Sequence, residues 1–200
     1  MKKLVAAAVL GTTLFGTQVL AGEGSTYVGV DYLMNSTTQT ISTNNNSLDK
    51  DNDSVGIKVK LGFESDTNLR MQVYLQKEAY DTAIYTYSGG NGDLLEFGVD
   101  IIKGFEVLPG LSPFIEVGAG YGMMSVDNLI DDYVGEFSLR AGGGVMYKIV
   151  PAFELVAGAN YQYRKWSDIE VITIGGGTTS DTDSRSETTT RLYIGANLHF

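Results

Sequence analysis

The sequence predicts an all-β protein in which eight antiparallel strands run up and down and close into a transmembrane β-barrel. Three observations predict this fold. Apolar and polar residues alternate in eight separate segments. The connections between the segments are alternately long and short, and the last segment ends on an aromatic residue, Phe200.

The eight segments share one pattern, an apolar residue at every second position, and each has about the length that a tilted strand needs to cross a bilayer core. In chain order they are 26–34, 54–64, 68–78, 94–102, 113–123, 136–148, 153–164 and 187–200. The clearest is 54–64, where Ile57 and Val59 alternate with Lys58 and Lys60. Alternation at period two is typical of a strand whose two faces meet different surroundings.

The connections predict which way the barrel points. The long ones are rich in Asn, Thr, Ser, Asp and Gly, and the others are shorter. The long connections are 35–53, 79–93, 124–135 and 165–186, and the short ones are 65–67, 103–112 and 149–152. Outer-membrane barrels have long extracellular loops and short periplasmic turns. We therefore expect both ends of the mature chain on the periplasmic side.

The N-terminus has the features of a secretory signal peptide. Lys2 and Lys3 precede an uncharged apolar stretch from Leu4 to about Gly16, and a small-residue cleavage site follows, with cleavage expected after Ala21. We expect residues 1–21 to be removed and 22–200 to form a single barrel domain. The chain has no cysteine, which excludes a lipoprotein and a disulfide framework.

Charge and polarity narrow the class further. Without Lys2 and Lys3 the mature chain has 12 Lys and Arg against 24 Asp and Glu, a net charge of −12. This balance excludes a nucleic-acid-binding surface. A soluble barrel or sandwich would turn its apolar face inward, but here the opposite face is too charged to cover an oily core. Its charged residues include Glu64, Glu78, Glu96, Asp100, Glu116, Arg140, Glu154, Arg164 and Arg191.

Aromatic residues near the predicted strand ends suit the girdles that membrane barrels place at the two interfaces. They are Tyr27, Tyr32, Phe63, Phe97, Tyr147, Phe153, Tyr161, Tyr163 and Phe200. With the signal peptide, the eight segments, the alternating connections and the terminal Phe200, the chain resembles the small OmpA/OmpX-type outer-membrane barrels.

The resemblance implies a Gram-negative outer membrane, with outer-membrane lipid and lipopolysaccharide as partners. It also implies assembly machinery that recognises Phe200 as its signal. We expect no peptidoglycan-binding domain after Phe200.

The barrel interior is predicted to contain a cluster of charges near mid-height. Its members are Lys58, Lys60, Asp100, Glu116, Arg140 and Arg191. One interpretation is a polar plug of paired charges, because an unpaired buried charge is costly. The other is an ion-selective path, favoured by glycines that leave one inner wall without bulk. These are Gly118, Gly120, Gly122, Gly142, Gly144 and Gly158. They also fit a wall that makes room for long side chains.

We expect no catalytic site, cofactor or metal centre. The single histidine, His199, is next to last and points inward at the periplasmic end, away from external substrates. No Ser, Cys or Asp can be paired with a catalytic histidine in the outer loops. Asp49, Asp51 and Asp53 begin a calcium-loop pattern. Ser54 and Lys60 stand where an EF-hand needs Gly and Glu, which excludes that motif. Weak binding of divalent cations stays open.

The long connections make the outer rim acidic, so an extracellular ligand of these loops is a further open partner. The acidic residues of 165–186 include Asp168, Glu170, Asp181 and Asp183. The sequence thus predicts a non-catalytic, surface-exposed protein of the outer membrane that acts in adhesion, another interaction or envelope stability. The alternative function is a narrow porin-like channel.

Overall fold

The computed structural model describes residues 24–43, 46–81, 91–126, 133–174 and 178–200. Its strands are β1 Gly24–Thr43, β2 Asn46–Ser65, β3 Leu69–Tyr80, β4 Asn91–Gly104, β5 Leu111–Val126, β6 Tyr133–Val150, β7 Phe153–Trp166, β8 Ile169–Ile174 and β9 Thr178–His199. None of the described residues belongs to a helix long and apolar enough to cross a membrane. The predicted signal peptide, 1–21, lies outside the described residues, so its removal stays a prediction.

Eight of these strands form a closed ring. Each of β1 to β6 pairs antiparallel with the next strand, β7 pairs with β9, and β9 pairs with β1. The predicted eight-stranded antiparallel barrel is confirmed. The short strand β8 pairs with the first residues of β9 and prolongs that hairpin beyond the ring.

The register fixes how far the strands lean. Followed through paired neighbours, the path from Gly29 passes once round the ring and returns to β1 at Gln39, ten residues further on. With a rise of about 3.3 Å per residue and about 4.8 Å between strands, a stagger of ten over eight strands corresponds to a tilt of about 40°. This tilt is within the range of transmembrane barrels.

The two faces of the barrel wall differ in polarity, as the alternation predicts. On β2, Lys58 is 1% exposed and points inward, whereas its neighbour Val59 is 50% exposed and points outward. The same sorting recurs round the ring, so the exterior carries an apolar band and the interior carries most of the charge. The polarity is the reverse of that of a soluble barrel.

The interior also contains apolar side chains in two groups. The larger group comprises Leu33, Ile102, Phe114, Met146, Val156 and Tyr193. The smaller group, which we call the apolar cap, comprises Leu94, Met124, Val134 and Trp166, with Tyr80 packed against it. The apolar cap lies near the end of the barrel opposite Gly24 and Phe200. We call that end the distal end and the other the terminal end.

The turns at the terminal end are short. The turn after β2 uses Asn68 at φ 59°, and its N–H donates to the carbonyl of Ser65. The turn after β4 uses Gly110 at φ 78°, a left-handed conformation that favours glycine. The Gly110 carbonyl accepts a hydrogen bond from the N–H of Lys148, so β6 is tied to this turn.

At the distal end the prediction of long loops is partly wrong. Most of 35–53 is strand, because β1 continues to Thr43 and β2 begins at Asn46 with a continuous register between them. Much of 165–186 is likewise strand, formed by β8 and the start of β9. Threonine recurs in these extensions and suits strands well. The loop prediction failed because polar side chains there belong to strands that continue past the apolar band.

One predicted girdle residue is also wrong. Tyr27 is 0% exposed and points into the barrel, where its hydroxyl donates to Gln72 Oε1 at 2.8 Å. Its neighbour Val28 lies on the outward face, so the alternation itself assigns Tyr27 to the interior.

Candidate functional site

The barrel interior is the candidate site, and a chain of charges crosses its middle. Lys60 Nζ lies 2.6 Å from Asp31 Oδ1. Lys58 Nζ lies 3.7 Å from both Asp31 Oδ2 and Asp100 Oδ2. Arg140 donates from Nε and Nη2 to Asp100 Oδ1 at 2.8 and 2.6 Å. We call these five residues the central layer. Each buried charge in it has an opposite charge beside it.

Aromatic rings pack against the cations of the central layer. The guanidinium carbon of Arg140 lies 4.0 Å from the ring centroid of Tyr74. Lys58 Nζ lies 5.3 Å from the same centroid and 5.4 Å from that of Tyr193. Cations at such distances are attracted to the face of an aromatic ring. The Tyr74 hydroxyl donates to Glu96 Oε1 at 2.6 Å and links the central layer to the next one.

The distal layer contains Glu78, Glu96, Arg164 and Arg191. Arg164 Nη2 lies 2.5 Å from Glu78 Oε1 and 3.2 Å from Glu96 Oε2. Arg191 pairs with the same Glu78 oxygen, and its Nε donates to Asn35 Oδ1 at 2.7 Å. All four charged side chains are 0% exposed. This layer lies under the apolar cap.

The terminal layer contains Glu64, Arg70, Lys148, Glu154 and His199. Arg70 donates to both oxygens of Glu154, at 2.7 and 2.8 Å, and to Glu64 Oε1 at 3.0 Å. Lys148 Nζ lies 2.9 Å from Glu64 Oε2. A two-point arginine–carboxylate pair is among the strong charge-assisted contacts, so this layer holds the strand ends together.

The six residues predicted to form the interior cluster are all buried, but they do not form one group. Lys58, Lys60, Asp100 and Arg140 belong to the central layer. Glu116 accepts instead from Asn160 Nδ2 at 2.8 Å. Arg191 belongs to the distal layer. A role of these charges in function stays a prediction.

The prediction missed the residue that joins the two lysines, Asp31. The signal was present, because Asp31 lies between the outward-facing Val30 and Tyr32 and must therefore point inward. The prediction also missed the ion pair between Arg164 and Glu78. It placed both side chains on the inward face but did not predict that they are in contact. Distant strands supply these two side chains, and the register needed to juxtapose them is absent from the alternation.

The glycines that favoured a channel lie against side chains from other strands. A side-chain carbon at Gly118 would meet the Asp100 carboxylate and lie 2.9 Å from Arg140 Nε. At Gly120 it would meet the Tyr74 hydroxyl and lie 2.5 Å from Glu96 Oε1. The space that these glycines leave is therefore taken by the charged layers.

A small cavity remains beside the central layer. Asp31, Lys58, Lys60 and Tyr193 are among the residues that line it. It has room for about one water molecule.

His199 lies in the terminal layer with polar groups at both ring nitrogens. Ser25 Oγ and Glu64 Oε2 lie 3.4 and 3.6 Å from Nδ1, and Glu154 Oε1 lies 3.7 Å from Nε2. The Glu154 carboxylate is already engaged by Arg70. The expectation that the chain is not an enzyme stays a prediction. Among the described residues, no group of three or more acidic or histidine side chains is arranged to hold a metal ion.

The region beneath the apolar cap contains a carboxyl with altered acidity. Glu187 lies beyond the exterior apolar band, since its neighbours Ser186 and Thr188 point outward and are polar. Burial raises the pKa of Glu187 to about 7, an effect that Arg164 opposes and Glu78 reinforces. Gln39 and Tyr80 both donate to this carboxylate at 3.3 Å.

An apolar exterior, a closed ring of tilted strands and a charge-paired interior define a transmembrane β-barrel of the outer-membrane type. Comparison with solved structures supports the same class. The crystal structure of Neisserial surface protein A aligns with a TM-score of 0.57 at 20% identity, covering 88% of this chain and 99% of that one.

Two further structures have similar folds. The outer membrane protein AlkL in DMPC bilayers aligns with a TM-score of 0.53 at 11% identity, covering 90% of this chain and 91% of that one. Outer membrane protein H (OprH) from P. aeruginosa aligns with a TM-score of 0.50 at 14% identity, covering 88% of this chain and 99% of that one. No protein-family model and no curated protein sequence matches the chain. The chain therefore has the fold of the small OmpA/OmpX-type barrels.

Proposed function

We propose that the protein is an integral outer-membrane barrel of a Gram-negative bacterium that acts as a surface-exposed structural or interaction protein without catalysis. In this proposal the terminal end faces the periplasm and the distal end faces the outside. Outer-membrane lipid and lipopolysaccharide surround the barrel. Its work is carried by the distal strands rather than by transport through the lumen.

The charge-paired interior carries the proposal. Salt bridges at 2.6 to 3.7 Å occupy the central layer, and further paired layers lie on either side of it. Separating paired charges in a confined, poorly hydrated space is costly. An ion would have to displace these contacts in three successive layers, which argues for a plug.

The distal extensions support a role at the cell surface. The β1–β2 hairpin continues past the apolar band with a polar outer face that carries Asp49, Asp51 and Asp53. Thr38 Oγ1 donates to Asp51 at 3.0 Å, and Thr40 Oγ1 donates to Asp49 at 2.8 Å. These pairs fix an ordered acidic surface, which suits an extracellular ligand with basic groups or bridging divalent cations.

The alternative function is a narrow porin-like channel. The cavity beside Asp31, Lys58 and Lys60 favours it, because ionisable side chains line that space. Single-channel recording of the purified protein in planar bilayers separates the two functions. The proposal expects no steady openings in the wild type or in Arg140→Met. Reproducible openings whose ion selectivity changes in Arg140→Met would establish the channel instead.

The surface role is tested by shortening both distal hairpins at paired residues. Deleting 38–51 removes the tip of β1–β2, whose ends Thr38 and Asp51 are partners. Deleting 169–183 removes β8 with its partner segment, since Ile169 pairs with Asp183. The trimmed barrel is expected to insert normally but to lose adhesion to matrix or host cells, or to leave the envelope sensitive to detergent. Unchanged behaviour in both assays would refute a role of the distal strands.

The outer-membrane location is tested at the C-terminus. Phe200 is 75% exposed, and its N–H donates to the Thr26 carbonyl at 2.9 Å. If assembly machinery recognises this residue, its removal should leave secretion intact but prevent insertion, so that the chain accumulates and is degraded in the periplasm. Cell fractionation measures this, with Phe200→Trp as a control that keeps an aromatic end. Normal insertion of the truncated chain would contradict the assignment.

A further inference from the structure

The apolar band on the exterior has different heights on different sides of the barrel. On β5 and on β6, seven successive outward positions are apolar, aromatic or glycine. They are Leu111, Pro113, Ile115, Val117, Ala119, Tyr121 and Met123 on β5, and Phe137, Leu139, Ala141, Gly143, Val145, Tyr147 and Ile149 on β6. We call this side the tall wall.

On β1 and β3 the band is much shorter. The apolar outward positions are Val28, Val30, Tyr32 and Met34 on β1, and Leu69, Met71, Val73 and Leu75 on β3. The next outward positions towards the distal end are Ser36 and Lys77, and Lys77 is 66% exposed. We call this side, which includes the intervening β2, the short wall.

The register converts these positions into heights. Two residues along a strand tilted by about 40° rise by about 5 Å along the barrel axis. The apolar band is therefore about 30 Å high on β5 and β6 and about 15 Å high on β1 and β3. A bilayer core is about 30 Å thick. The tall wall matches it, whereas the band spans about half of it on β1 and β3 and about two-thirds of it on β2.

The difference occurs at both ends of the barrel. At the distal end, the stagger of ten residues places Met123 and Phe137 of the tall wall level with the polar residues Ser36 and Asp53 of the short wall.

At the terminal end, the turn after β4 continues the sheet downwards. The N–H of Phe105 donates to the Pro113 carbonyl at 2.8 Å, and that of Val107 donates to the Leu111 carbonyl at 3.1 Å. The exposed side chains of Phe105 and Val107 extend the apolar surface below the level of Leu69.

The two walls have nearly the same mid-level along the barrel axis. This mid-level shows whether a tilted barrel, a protein partner or a thinner bilayer best explains the difference in band height. Tilting the barrel would raise or lower both edges of one wall together and would leave its height unchanged. The tall wall exceeds the short wall at both edges instead. A bilayer that becomes thinner loses height from both leaflets about its midplane, and a protein partner imposes no such symmetry. The geometry therefore favours lipid as the occupant.

The height also changes in steps between the walls. Five outward apolar positions occur on β2 and on β9, and six on β7. Four occur on β4, namely Leu95, Phe97, Val99 and Ile101, so the sharper change falls between β4 and β5. Below Ile101, Lys103 points outward, and its ammonium donates to the Thr67 carbonyl in the turn after β2. A long cation that reaches towards a turn keeps its charge out of hydrocarbon. The band therefore changes gradually through β9 and β7 on one side and abruptly between β4 and β5 on the other.

We propose that the short wall of β1 to β3 faces a locally thinned bilayer, so that the protein binds lipid of short hydrocarbon length on one side and lipid of ordinary length on the other. This inference rests on the proposed membrane insertion. Hydrophobic mismatch costs free energy for every ångström, and bilayer thinning is one way to relieve it. The barrel would then mark a thin, easily deformed site in the membrane.

The test lengthens the short wall and measures which bilayer the barrel prefers. The variant Ser36→Leu, Lys77→Leu, Thr190→Leu adds one apolar position to β1, β3 and β9. The control variant Ser125→Leu, Lys165→Leu adds an apolar residue beyond the distal edge of the band on β5 and on β7. Each protein is unfolded with urea in vesicles of 12-carbon and of 18-carbon phosphatidylcholine, and the ratio of the two folding equilibrium constants is compared.

The proposal expects the lengthened variant to shift this ratio about tenfold towards the thicker vesicles, and the control to shift it less than twofold. A second readout uses two single-tryptophan variants in a Trp166→Phe background. They are Leu75→Trp on the short wall and Leu139→Trp on the tall wall. Bromine placed near the lipid headgroups should quench tryptophan at Leu75 more than at Leu139.

The outcomes separate the inference from the proposed function. Equal ratios for wild type, variant and control, with equal quenching at the two tryptophans, would overturn the thinning while leaving the membrane barrel intact. A second copy of the chain would cover the short wall if the tryptophan of Leu75→Trp is shielded from all lipid quenchers and the protein cross-links as a dimer. That result would also overturn the thinning. Failure of the wild type to insert into either vesicle would refute both the inference and the membrane barrel.

Discussion

The inner and outer faces of the same strands follow different rules. On β2, Lys58 is buried between two carboxylates, whereas its neighbour Val59 is half exposed on the exterior. Lipid is fluid, so any apolar side chain of moderate size satisfies the outward position. The inward position needs a particular partner within hydrogen-bonding or ion-pairing distance. The exterior therefore specifies polarity, and the interior specifies which residue meets which.

Two ion pairs of similar length show how much the surroundings matter. Arg140 Nη2 lies 2.6 Å from Asp100 Oδ1 in the interior, where both side chains are at most 1% exposed. Lys77 Nζ lies 2.7 Å from Asp93 Oδ2 on the exterior, where they are 66% and 44% exposed. Water screens the second pair but not the first. The distances alone would rank them as equals.

The largest effect is expected from breaking the interior pair. Arg140→Met leaves Asp100 with Gln72 Nε2 at 2.7 Å and Lys58 at 3.7 Å. Removing one partner of a buried pair typically costs about 3–5 kcal/mol, and these two neighbours should place the loss near the lower value. Urea unfolding in lipid vesicles measures it. The double variant Arg140→Met, Asp100→Asn should recover part of the loss, and a loss below about 1 kcal/mol would mean that the interior is hydrated.

A charge placed on the exterior band should cost slightly less. Val59→Arg puts a guanidinium at mid-band, where arginine typically destabilises membrane barrels by about 2–4 kcal/mol. Asp53→Arg on the same face of β2 is the matched control, because Asp53 lies beyond the band. It should be nearly neutral. Heat-modifiable gel mobility and urea unfolding both measure the difference in stability. Equal losses of stability at the two positions would show that the apolar band does not end between Val59 and Asp53.

A smaller effect should appear in the pH dependence of stability. The folded barrel raises the pKa of Glu187 to about 7 from an ordinary value of 4.5. The folded state therefore binds this proton more tightly than the unfolded chain does. The contribution is fully present below pH 4.5 and is lost as the pH rises to about 7. Glu187→Gln should reduce the decrease in the unfolding midpoint between pH 4.5 and about 7. If the midpoint of the variant decreases with pH as much as that of the wild type, other groups cause the decrease.

The smallest effect is expected for the exterior pair. Asp93→Asn removes the partner of Lys77, and exposed pairs of this kind typically contribute about 0–1 kcal/mol. The unfolding midpoint should hardly move, and what change there is should vanish at high salt. A loss as large as that of Arg140→Met would contradict the contrast between the two faces.

Much of the fold could be predicted from the sequence because lipid demands a period of two along every spanning strand. Val55, Ile57 and Val59 show it on β2 without help from any other part of the chain. For the charged site, the sequence could predict which side chains point inward, since the alternation places Lys58 and Arg140 inside the barrel. Their partners were not, because ion pairing depends on the stagger between strands.

The limits of the strands were predictable only where the apolar band ends. Beyond Met34 the outward residues of β1 become Ser36 and Thr38, and a polar strand there resembles a loop in composition. Backbone pairing between β1 and β2 keeps these residues extended, and that pairing is a property of the folded hairpin.

By itself the sequence determined the class of fold, the number of strands in the ring and the face on which each side chain lies, since alternation is a local property of the chain. Only the tertiary structure decided the stagger of ten residues and, through it, which charges meet. It joined Asp31 to Lys58 and Lys60 and joined Glu78 to Arg164 and Arg191. The physical reason is that a closed barrel requires every strand to agree on one register, and that agreement involves all the strands at once.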